Sequence, residues 1–378
     1  MGQRSATDDA ISKTGSVADA TLSGDAAVPY QTTVSAPADQ PDGPRIKLAS
    51  VVQTILAVPY LLFGIYLFCV GIAMYLVGVL AVVPRYLLGF YDALTPISEW
   101  LVWYSGLPIT LGLALALLDL LVLFDRKRLL QHLRVDAIGD APVTVALTAY
   151  NDEESIGAAV SDFLAHPMVR RVIVVSNNSI DQTFQRAEAA GALTFNEEAP
   201  GYGRCVHRCY VEALRFDDSD FVILCEGDRT FRAHDVDKLL AYAPHADIVN
   251  GTRTVEALRE RKTQLTTFMF YGNLFVGKLL EAKHLGCSTI TDVGTTYKLC
   301  RRGALQALLP SLNPGINLEF NAYFLDMALA NRLVVLECPI TFHARVGESK
   351  GGNTDNTRAL SVGLAMIRGL TFGWGRAT

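Results

Sequence analysis

Two long stretches without charged residues, both in the first third of the chain, most constrain what this protein can fold into. The first covers residues 48–83, and the second covers residues 100–118 and continues past Asp119 to Phe124. A helix that crosses a bilayer needs about 20 consecutive apolar residues, so the second stretch fits one crossing. The first stretch is longer and contains one proline and three glycines. It predicts one long or kinked span, and a tight pair of shorter segments is the alternative.

The basic residues around these stretches predict the orientation of the resulting hairpin. They lie mainly outside the hairpin, at Arg45, Lys47, Arg126, Lys127, Arg128 and Arg134, whereas the connection contains only Arg85. Because Lys and Arg concentrate in cytoplasmic flanks, we expect both ends of the hairpin in the cytosol and the protein in the inner or plasma membrane. The aromatic residues Trp100, Trp103 and Tyr104 suit a membrane interface. A buried helix pair in a soluble protein is disfavoured, since uncharged runs of this length are rare outside membranes.

Composition divides the rest of the chain. Residues 1–45 are rich in Ala, Ser, Thr, Asp, Gly and Pro without an apolar period, which is typical of a disordered tail. The predicted segments are this tail at 1–45, a membrane module with two spans at 46–126, a linker at 127–140, an α/β domain at 141–350, and a C-terminal tail at 351–378 with a short amphipathic helix at 360–370.

From residue 141 onward, short apolar runs alternate with helical periodicity. The predicted strands are 143–147, 171–175, 193–195 and 221–224, and the predicted helices are 153–164, a helix from about 181, and 204–214. Alternation of this kind predicts a mostly parallel, Rossmann-like central sheet that is covered by helices on both faces.

Polar clusters follow three of these strands. They are residues 150–153, residues 176–179 together with Asp181, and residues 226–228. Ligands of open parallel sheets bind at the carboxyl ends of the strands, and helix N-termini there favour anions. We therefore expect the three clusters to meet at one pocket that accepts an anionic group such as a diphosphate.

The triplet Glu226-Gly227-Asp228 places two carboxylates two residues apart at the end of a buried strand. Mg²⁺ is commonly held by one or two carboxylates together with substrate phosphates. The triplet therefore predicts a Mg²⁺ or Mn²⁺ site that serves a nucleoside-diphosphate donor, in which the metal neutralises charge on the leaving diphosphate.

Other classes of function are disfavoured by composition and motif. The formal net charge of −5 provides no electrostatic footprint for nucleic acid. The first βα turn lacks the GxGxxG pattern of dinucleotide folds. Seven cysteines are scattered without a CxxC pair, and on the helix predicted at 204–214 Cys205 and Cys209 share a face that His207 does not, so we expect reduced thiols and not a zinc site.

Segments along residues 141–350 resemble one enzyme family. They are 149–153 (AYNDE), 174–183 (VVSNNSIDQT), 201–203, 226–228, 250–253 (NGTR), 291–297 (TDVGTTY) before Arg301-Arg302, 317–320 (NLEF), and Cys338-Pro339-Ile340 followed by 345–350 (RVGESK). In this order they resemble the family-2 glycosyltransferases of GT-A fold, and most of all the dolichol-phosphate-mannose-synthase-like branch that uses polyprenyl phosphates. The family usually carries membrane helices, if at all, after this domain, whereas here they precede it.

The resemblance implies which residues bind the donor and the metal. The donor-binding residues it implies are Tyr150, Asn151, Glu153, Asn177, Asp181 and Glu226. Asp228 is implied as the direct metal ligand, and Glu226 stands where the family has the first aspartate of its DxD motif. The family's second motif has two aspartates where this chain has Ser176 and Asn177, so a neutral amide replaces a charge in base recognition.

The acceptor decides which further residues the chemistry needs. A polyprenyl phosphate is already anionic and needs cations to hold it, for which Arg253, Arg345 and Lys350 are candidates. An alcohol acceptor needs a carboxylate base, for which Asp292 and Glu319 are candidates. We expect both donor and lipid phosphate to be partners of the protein, at a membrane surface.

Two questions stay open at the level of sequence. Residues 263–280 form an apolar and aromatic face with basic residues around it, which predicts either an interfacial helix that presents a lipid or a helix packed on the sheet. The favoured function is inverting transfer of a sugar to a polyprenyl phosphate. The alternatives are transfer to a saccharide or other alcohol, and a non-catalytic membrane partner that retains the fold. A processive synthase is disfavoured because no Gln-x-x-Arg-Trp segment occurs.

Overall fold

The computed structural model describes residues 54–127, 134–139, 142–347 and 355–375, without the side chains of residues 91–93. The proposed tail at 1–45 and the candidate Lys350 lie outside these residues.

The first part of the described chain is a helical hairpin. Its elements are α1 (Tyr60–Leu80), α2 (Val82–Leu87), α3 (Tyr91–Leu117), a π-helical turn (Leu118–Leu123) and α4 (Phe124–Lys127). Its two arms, Tyr60–Leu87 and Leu94–Lys127, are 28 and 34 residues long and apolar enough to cross a membrane. From Tyr60 onward, the first uncharged stretch thus forms one long arm and not a pair of short segments.

Small residues let the two arms of the hairpin pack closely. Gly64, Gly71 and Gly78 recur every seventh residue on the buried face of α1. A Cβ atom added at Gly64 would lie 2.6 Å from the carbonyl oxygen of Gly112, and one at Gly71 would lie 2.5 Å from a side-chain carbon of Ile109. Glycine is therefore required where the backbones meet, which is the packing mode of helices that lack a hydrophobic driving force in lipid.

The end of the hairpin next to the α/β domain is closed by a buried ion pair. Asp119 lies in the π-helical turn and is 1% exposed. Its carboxylate accepts a hydrogen bond of 2.7 Å from the backbone N–H of Leu61 and one of 2.5 Å from Nζ of Lys127. Lys127 Nζ also donates to the carbonyl of Val58 at 2.5 Å. Asp119 therefore satisfies one of the orphan N–H groups of α1 and holds the start of one arm to the end of the other.

The α/β domain is built on a seven-stranded sheet with the order β3-β2-β1-β4-β6-β5-β7. The strands are β1 (Val143–Ala149), β2 (Val169–Ser176), β3 (Leu193–Asn196), β4 (Phe221–Glu226), β5 (Ile248–Thr252), β6 (Lys298–Arg301) and β7 (Val335–Pro339). All neighbouring strands are parallel except β6, which runs antiparallel to both β4 and β5. The predicted α/β fold with a mostly parallel sheet is confirmed.

Helices cover both faces of this sheet. They are α5 (Ile156–Leu164), α6 (Thr183–Ala189), α7 (Tyr202–Leu214), α8 (Val236–Tyr242), α9 (Thr267–Lys283), α10 (Arg302–Leu308), α11 (Phe320–Ala330) and α12 (Asn356–Phe372). Strand β1 is buried along its whole length. Because side chains alternate across a strand, Val145 and Leu147 join the core on the α5 side, whereas Ala146 joins the core on the α7 side.

The hairpin and α12 pack against the α7 side of the domain. Leu62 of α1 is fully buried in the same core cluster as Ala146, and the hydroxyls of Tyr66 and Thr371 lie 2.9 Å apart. The short helix expected at 360–370 is part of the 17-residue helix α12, whose N-cap Asp355 accepts from the N–H of Arg358 at 2.6 Å.

Two helix starts differ from the expectation. The helix expected from residue 153 begins at Ile156, because the preceding residues form a turn that is tied to the loop after β2. The helix expected from about residue 181 begins at Thr183, whose N–H and hydroxyl both bond to the carboxylate of Asp181. The domain limits at 46–126, 127–140 and 141–350 stay predictions.

Candidate functional site

A cavity of about 950 Å³ opens at the carboxyl ends of β1, β2 and β4 and extends between α9 and α12. Its inner end is lined by polar groups from the strand ends, and its outer end is lined by apolar side chains of the two helices. The three polar clusters expected to converge do meet here. The predicted residues Tyr150, Asn177, Glu226, Asp228, Arg253 and Arg345 all line the cavity.

The turn after β1 separates residues that face the cavity from residues that lock the turn. Tyr150 and Asp152 line the cavity. The carboxamide oxygen of Asn151 accepts from the N–H of Ile180 at 2.9 Å, and Asp181 accepts from the N–H of Glu153 at 3.3 Å. Asn151, Glu153 and Asp181, all expected to bind the donor, are absent from the cavity wall and join the loops after β1 and β2 instead. The wall contains Asp152, which was not among the expected ligands.

Asn177 holds the loop that precedes α7. Its amide nitrogen donates to the carbonyls of Glu197 and Ala199 at 3.1 and 2.9 Å, and its amide oxygen accepts from the N–H of Gly201 at 3.1 Å. An aspartate at this position could accept but not donate. The amide that stands in place of the family's charge therefore stabilises this loop, at the rim of the cavity.

The triplet at the end of β4 places Glu226 and Asp228 at the inner end of the cavity. Burial and the neighbouring charge of Asp228 raise the pKa of Glu226 to about 7, against a hydrogen bond of 2.7 Å that Glu226 accepts from the hydroxyl of Thr296. Asp228 is 1% exposed, and its Oδ1 accepts from both the N–H and the hydroxyl of Thr230. A Cβ atom at Gly227 would lie 2.4 Å from Ile156, so glycine lets the strand end approach α5.

Arg345 bridges two carboxylates across the cavity. Its Nη2 donates to Asp152 at 2.7 Å, and its Nη1 lies 3.1 Å from Oδ2 of Asp228. Burial raises the pKa of the Asp152 carboxyl, and the positive charge of Arg345 opposes that effect. The guanidinium thus brings the end of β1 and the end of β4 together around one cationic position.

The carboxylates at the inner end are of the type that binds a divalent cation. Oδ2 of Asp228 is buried and, apart from its ion pair with Arg345, accepts no hydrogen bond in the part of the chain that the structure describes. Among these residues no group of three or more His, Cys, Asp or Glu side chains forms a complete ligand set. Mg²⁺ and similar ions often use one or two carboxylates and take the remaining ligands from phosphates and water. Asp228 and Glu226 can supply these protein ligands.

The second acidic–basic pair lies deeper, at the end of β5. Arg253 donates to Asp292 twice, from Nε at 2.7 Å and from Nη2 at 2.8 Å. Burial acts to raise the pKa of Asp292, but Arg253 holds it below the usual value. Arg253 lines the cavity and Asp292 does not. Asp292 was expected as a possible base, and its geometry instead favours holding the Arg253 guanidinium in a fixed orientation.

The other candidate base also lies away from the cavity wall. Glu319 directly precedes α11, and the wall is formed there by Asn317, Leu318 and Asn321. The carboxylates of the described residues that line the cavity are therefore Asp152, Glu226 and Asp228, all at the inner end.

The outer end of the cavity is an apolar groove between α9 and α12, which we define by Phe268, Phe275, Val276, Leu360, Leu364 and Met366. Several of these side chains are open to solvent, including Phe275 at 55% and Leu364 at 56% exposure. The helix expected at 263–280 packs on the domain through Leu279 and Leu280, as one of the two expectations held, and it also lines the groove with Phe268 and Phe275. The other expectation, that this helix presents a lipid at a membrane interface, stays a prediction.

Comparisons with known proteins find glycosyltransferases that are similar to this chain. No family model matches the chain. An uncharacterized glycosyltransferase of Mycobacterium tuberculosis is 39% identical over 116 residues, which are 30% of this chain and 50% of that protein. A dolichyl-phosphate hexose transferase of Haloferax volcanii is 26% identical over 209 residues, covering 55% of this chain and 86% of that protein. The chain thus spans half the length of the mycobacterial relatives that it matches.

A solved structure with a similar fold is glucosyl-3-phosphoglycerate synthase of Mycobacterium tuberculosis, with a TM-score of 0.47 and 17% identity over 63% of this chain and 82% of that one. The sequence relatives and the strand order agree with the motifs at the strand ends. These relatives support the resemblance to the family-2 glycosyltransferases, and the α/β domain has the mostly parallel sheet that the GT-A type implies.

Proposed function

We propose that this protein is a membrane-anchored, metal-assisted inverting glycosyltransferase that moves a sugar from a nucleoside-diphosphate donor to a polyprenyl phosphate. The observation that carries the proposal is the shape of the cavity, in which a carboxylate-rich inner end joins an apolar groove between α9 and α12. The relatives named as hexose transferases, one of them acting on dolichyl phosphate, support it.

The inner end suits the donor. The polar strand ends of β1 and β2 would receive the nucleoside, and Asp228 and Glu226 would hold Mg²⁺ or Mn²⁺ against the diphosphate. When bound, the metal neutralises the negative charge that develops on the leaving diphosphate. Arg345 reaches the same position and adds a guanidinium that can contact phosphate oxygens in a planar, bidentate manner.

The acceptor side suits an anion. A phosphate oxygen of the acceptor would attack the anomeric carbon as the bond from that carbon to the diphosphate breaks, and the nucleoside diphosphate leaves on the opposite face. The attacking oxygen carries no proton, so no base is needed. This agrees with Asp292 being paired to Arg253 and with Glu319 lying off the wall. Arg253 is in place to bind the acceptor phosphate.

The surroundings of the groove suit a lipid. The hairpin packs beside α12 through the contact of Tyr66 with Thr371, so an anchored hairpin would keep the groove close to a bilayer. Exposed aromatic side chains on α9, Phe268 and Tyr271, lie at the outer end of the groove. Aromatic side chains of this kind favour the membrane interface. We infer that both ends of the hairpin face the cytosol, where nucleotide sugars are made available.

The test is transfer with purified protein in lipid nanodiscs. Radiolabelled UDP- and GDP-sugars would be supplied in turn with Mn²⁺ or Mg²⁺ and with undecaprenyl phosphate, and the organic phase would be counted. The proposal predicts a lipid-linked sugar that EDTA prevents. Incorporation into added saccharides or glycerol, with none into the lipid, would establish the alternative alcohol acceptor. Donor binding without transfer to any acceptor would favour a non-catalytic membrane partner.

A further inference from the structure

One buried lysine has no place in the chemistry described so far. Lys298 lies in β6 with a fully buried side chain. Its Nζ contacts the carbonyl of Thr295 and, at 3.1 Å, the amide oxygen of Asn321, and no carboxylate of the described residues pairs with it. Burial lowers the pKa of Lys298 to about 7. A lysine without an ion pair is costly inside a protein, so its presence calls for a function.

The lysine is the first member of a continuous row of hydrogen bonds that ends at the cavity. Lys298 contacts Asn321, and the amide nitrogen of Asn321 lies 3.0 Å from the hydroxyl of Tyr202. That hydroxyl lies 2.7 Å from the hydroxyl of Thr296, which donates to Oε1 of Glu226 at 2.7 Å. We call these five residues the relay.

The donor and acceptor groups of the relay allow only one direction of hydrogen bonding, from Lys298 towards Glu226. Both contacts of Nζ are with oxygen acceptors, so Lys298 donates to them whether it carries two protons or three. The amide oxygen of Asn321 must therefore face the lysine, and its NH₂ group faces Tyr202. Tyr202 then accepts a hydrogen bond from the amide and donates one from its hydroxyl to Thr296. The hydroxyl of Thr296 in turn donates a hydrogen bond to Glu226. Hydrogen bonds that point the same way strengthen one another.

We propose that Lys298 is a positioning residue that sets the direction of the relay and so holds the Glu226 carboxylate in the orientation that binds the cation. The proposal rests on the proposed function, in which Glu226 and Asp228 are the protein ligands. The hydrogen bond to Oε1 leaves Oε2 without a hydrogen bond from the described residues. Groups that orient a ligand from behind typically contribute about 10- to 100-fold to metal affinity.

The experiment measures Mn²⁺ binding to the full chain in detergent, by the EPR signal of free Mn²⁺, with and without UDP. We expect Thr296→Val to weaken binding about tenfold and Lys298→Met to weaken it about threefold to tenfold, because the lysine acts through three intermediates. The double variant should bind no more weakly than Thr296→Val alone, since both changes interrupt one relay. Thr296→Ser, which keeps the hydroxyl, should restore wild-type binding.

A second variant keeps the test decisive if Lys298→Met folds poorly. Asn321→Asp retains the contact with Lys298 but lacks the NH₂ donor, and it should weaken Mn²⁺ binding as much as Lys298→Met. Lys238→Met, which removes a lysine that pairs with Asp235 on α8, is the matched control and should bind normally. Each variant's thermal unfolding midpoint would be recorded alongside.

The outcomes separate this inference from the proposed function. Wild-type affinity in Thr296→Val and Asn321→Asp would overturn the relay and leave the cation site standing. Affinity losses that follow the unfolding midpoint instead of the position in the relay would overturn it as well. A wild-type protein that binds no Mn²⁺, alone or with UDP, would overturn both.

Discussion

The two ends of the cavity are built on opposite principles. At the inner end most polar side chains form ion pairs or hydrogen bonds with one another. Arg345 pairs with both Asp152 and Asp228, and Asp292 pairs with Arg253. At the outer end the groove residues make few directed contacts, and aromatic side chains such as Phe275 are half exposed. The inner end is therefore preorganised for one charged arrangement, whereas the outer end is an apolar surface with few fixed directions, as the proposed lipid acceptor would need.

The largest expected effect is at the inner end. Asp228→Ala removes the buried carboxylate that we propose as a cation ligand, so sugar transfer should fall by at least about a thousandfold. Radiolabelled transfer to undecaprenyl phosphate measures it. Asp237→Ala, which removes an exposed carboxylate on α8, is the matched control and should keep full activity. Substantial turnover by Asp228→Ala would remove this residue from the cation site.

Arg253→Lys tests whether the planar fork at the end of β5 is needed. Lysine retains the charge but cannot make the two parallel bonds to Asp292, so transfer should fall about 10- to 100-fold, mainly through a higher KM for the lipid phosphate. Steady-state kinetics with varied acceptor would show this. The control Arg170→Lys changes an exposed arginine that pairs with Asp218. A change confined to the KM for the sugar nucleotide would move Arg253 to the donor side.

A charge in the groove tests the outer end without touching the inner one. Phe275→Asp places a carboxylate where an apolar chain is expected to lie, so the KM for undecaprenyl phosphate should rise about tenfold, in line with the loss of one buried aromatic contact. The KM for a short, water-soluble prenyl phosphate should stay at the wild-type value. The control is Leu164→Asp, an exposed leucine at the end of α5. Equal effects on long and short acceptors would show that the groove does not bind the chain.

The smallest effect is expected in the hairpin, far from the chemistry. Asp119→Ala removes the acceptor of the Leu61 N–H and the carboxylate that pairs with Lys127, whose ammonium keeps its bond to the carbonyl of Val58. The hairpin should therefore be destabilised by about 1–3 kcal/mol. Thermal unfolding in detergent should therefore begin several degrees earlier while kcat stays near the wild-type value. A loss of kcat equal to that of the cavity variants would mean that the ion pair of Asp119 and Lys127 orients the site itself.

Sequence patterns predicted the helices and strands that depend mainly on residues close together along the chain. The uncharged runs predicted the hairpin arms, since length and apolarity suffice for such a helix. Apolar runs predicted β1, β2 and β4 to within two residues at each end, and the polar residues after them predicted where the cavity lies. The helix starts at Ile156 and Thr183 lie two to three residues after the expected ones. Side chains of the loop after β2 and of Thr183 bond to the N–H groups of residues 151–153, and Asp181 accepts from the N–H of Thr183.

Long-range packing determines which side chains meet. Arg345 reaches Asp152 across 193 positions of the chain, and Arg253 reaches Asp292 across 39. Neither hydrophobic periodicity nor a short motif contains information on contacts between such distant positions. The sequence therefore suggested Asp292 as a base, whereas the structure pairs it with Arg253. For the same reason, nothing in the sequence indicated that Lys298 is connected to Glu226 by hydrogen bonds. Residue types and their order determine the elements and the kind of chemistry, because both depend on the side chain and its neighbours along the chain. Long-range packing decides which way each charge faces, because the energy of a buried charge depends on the partners that the fold brings to it.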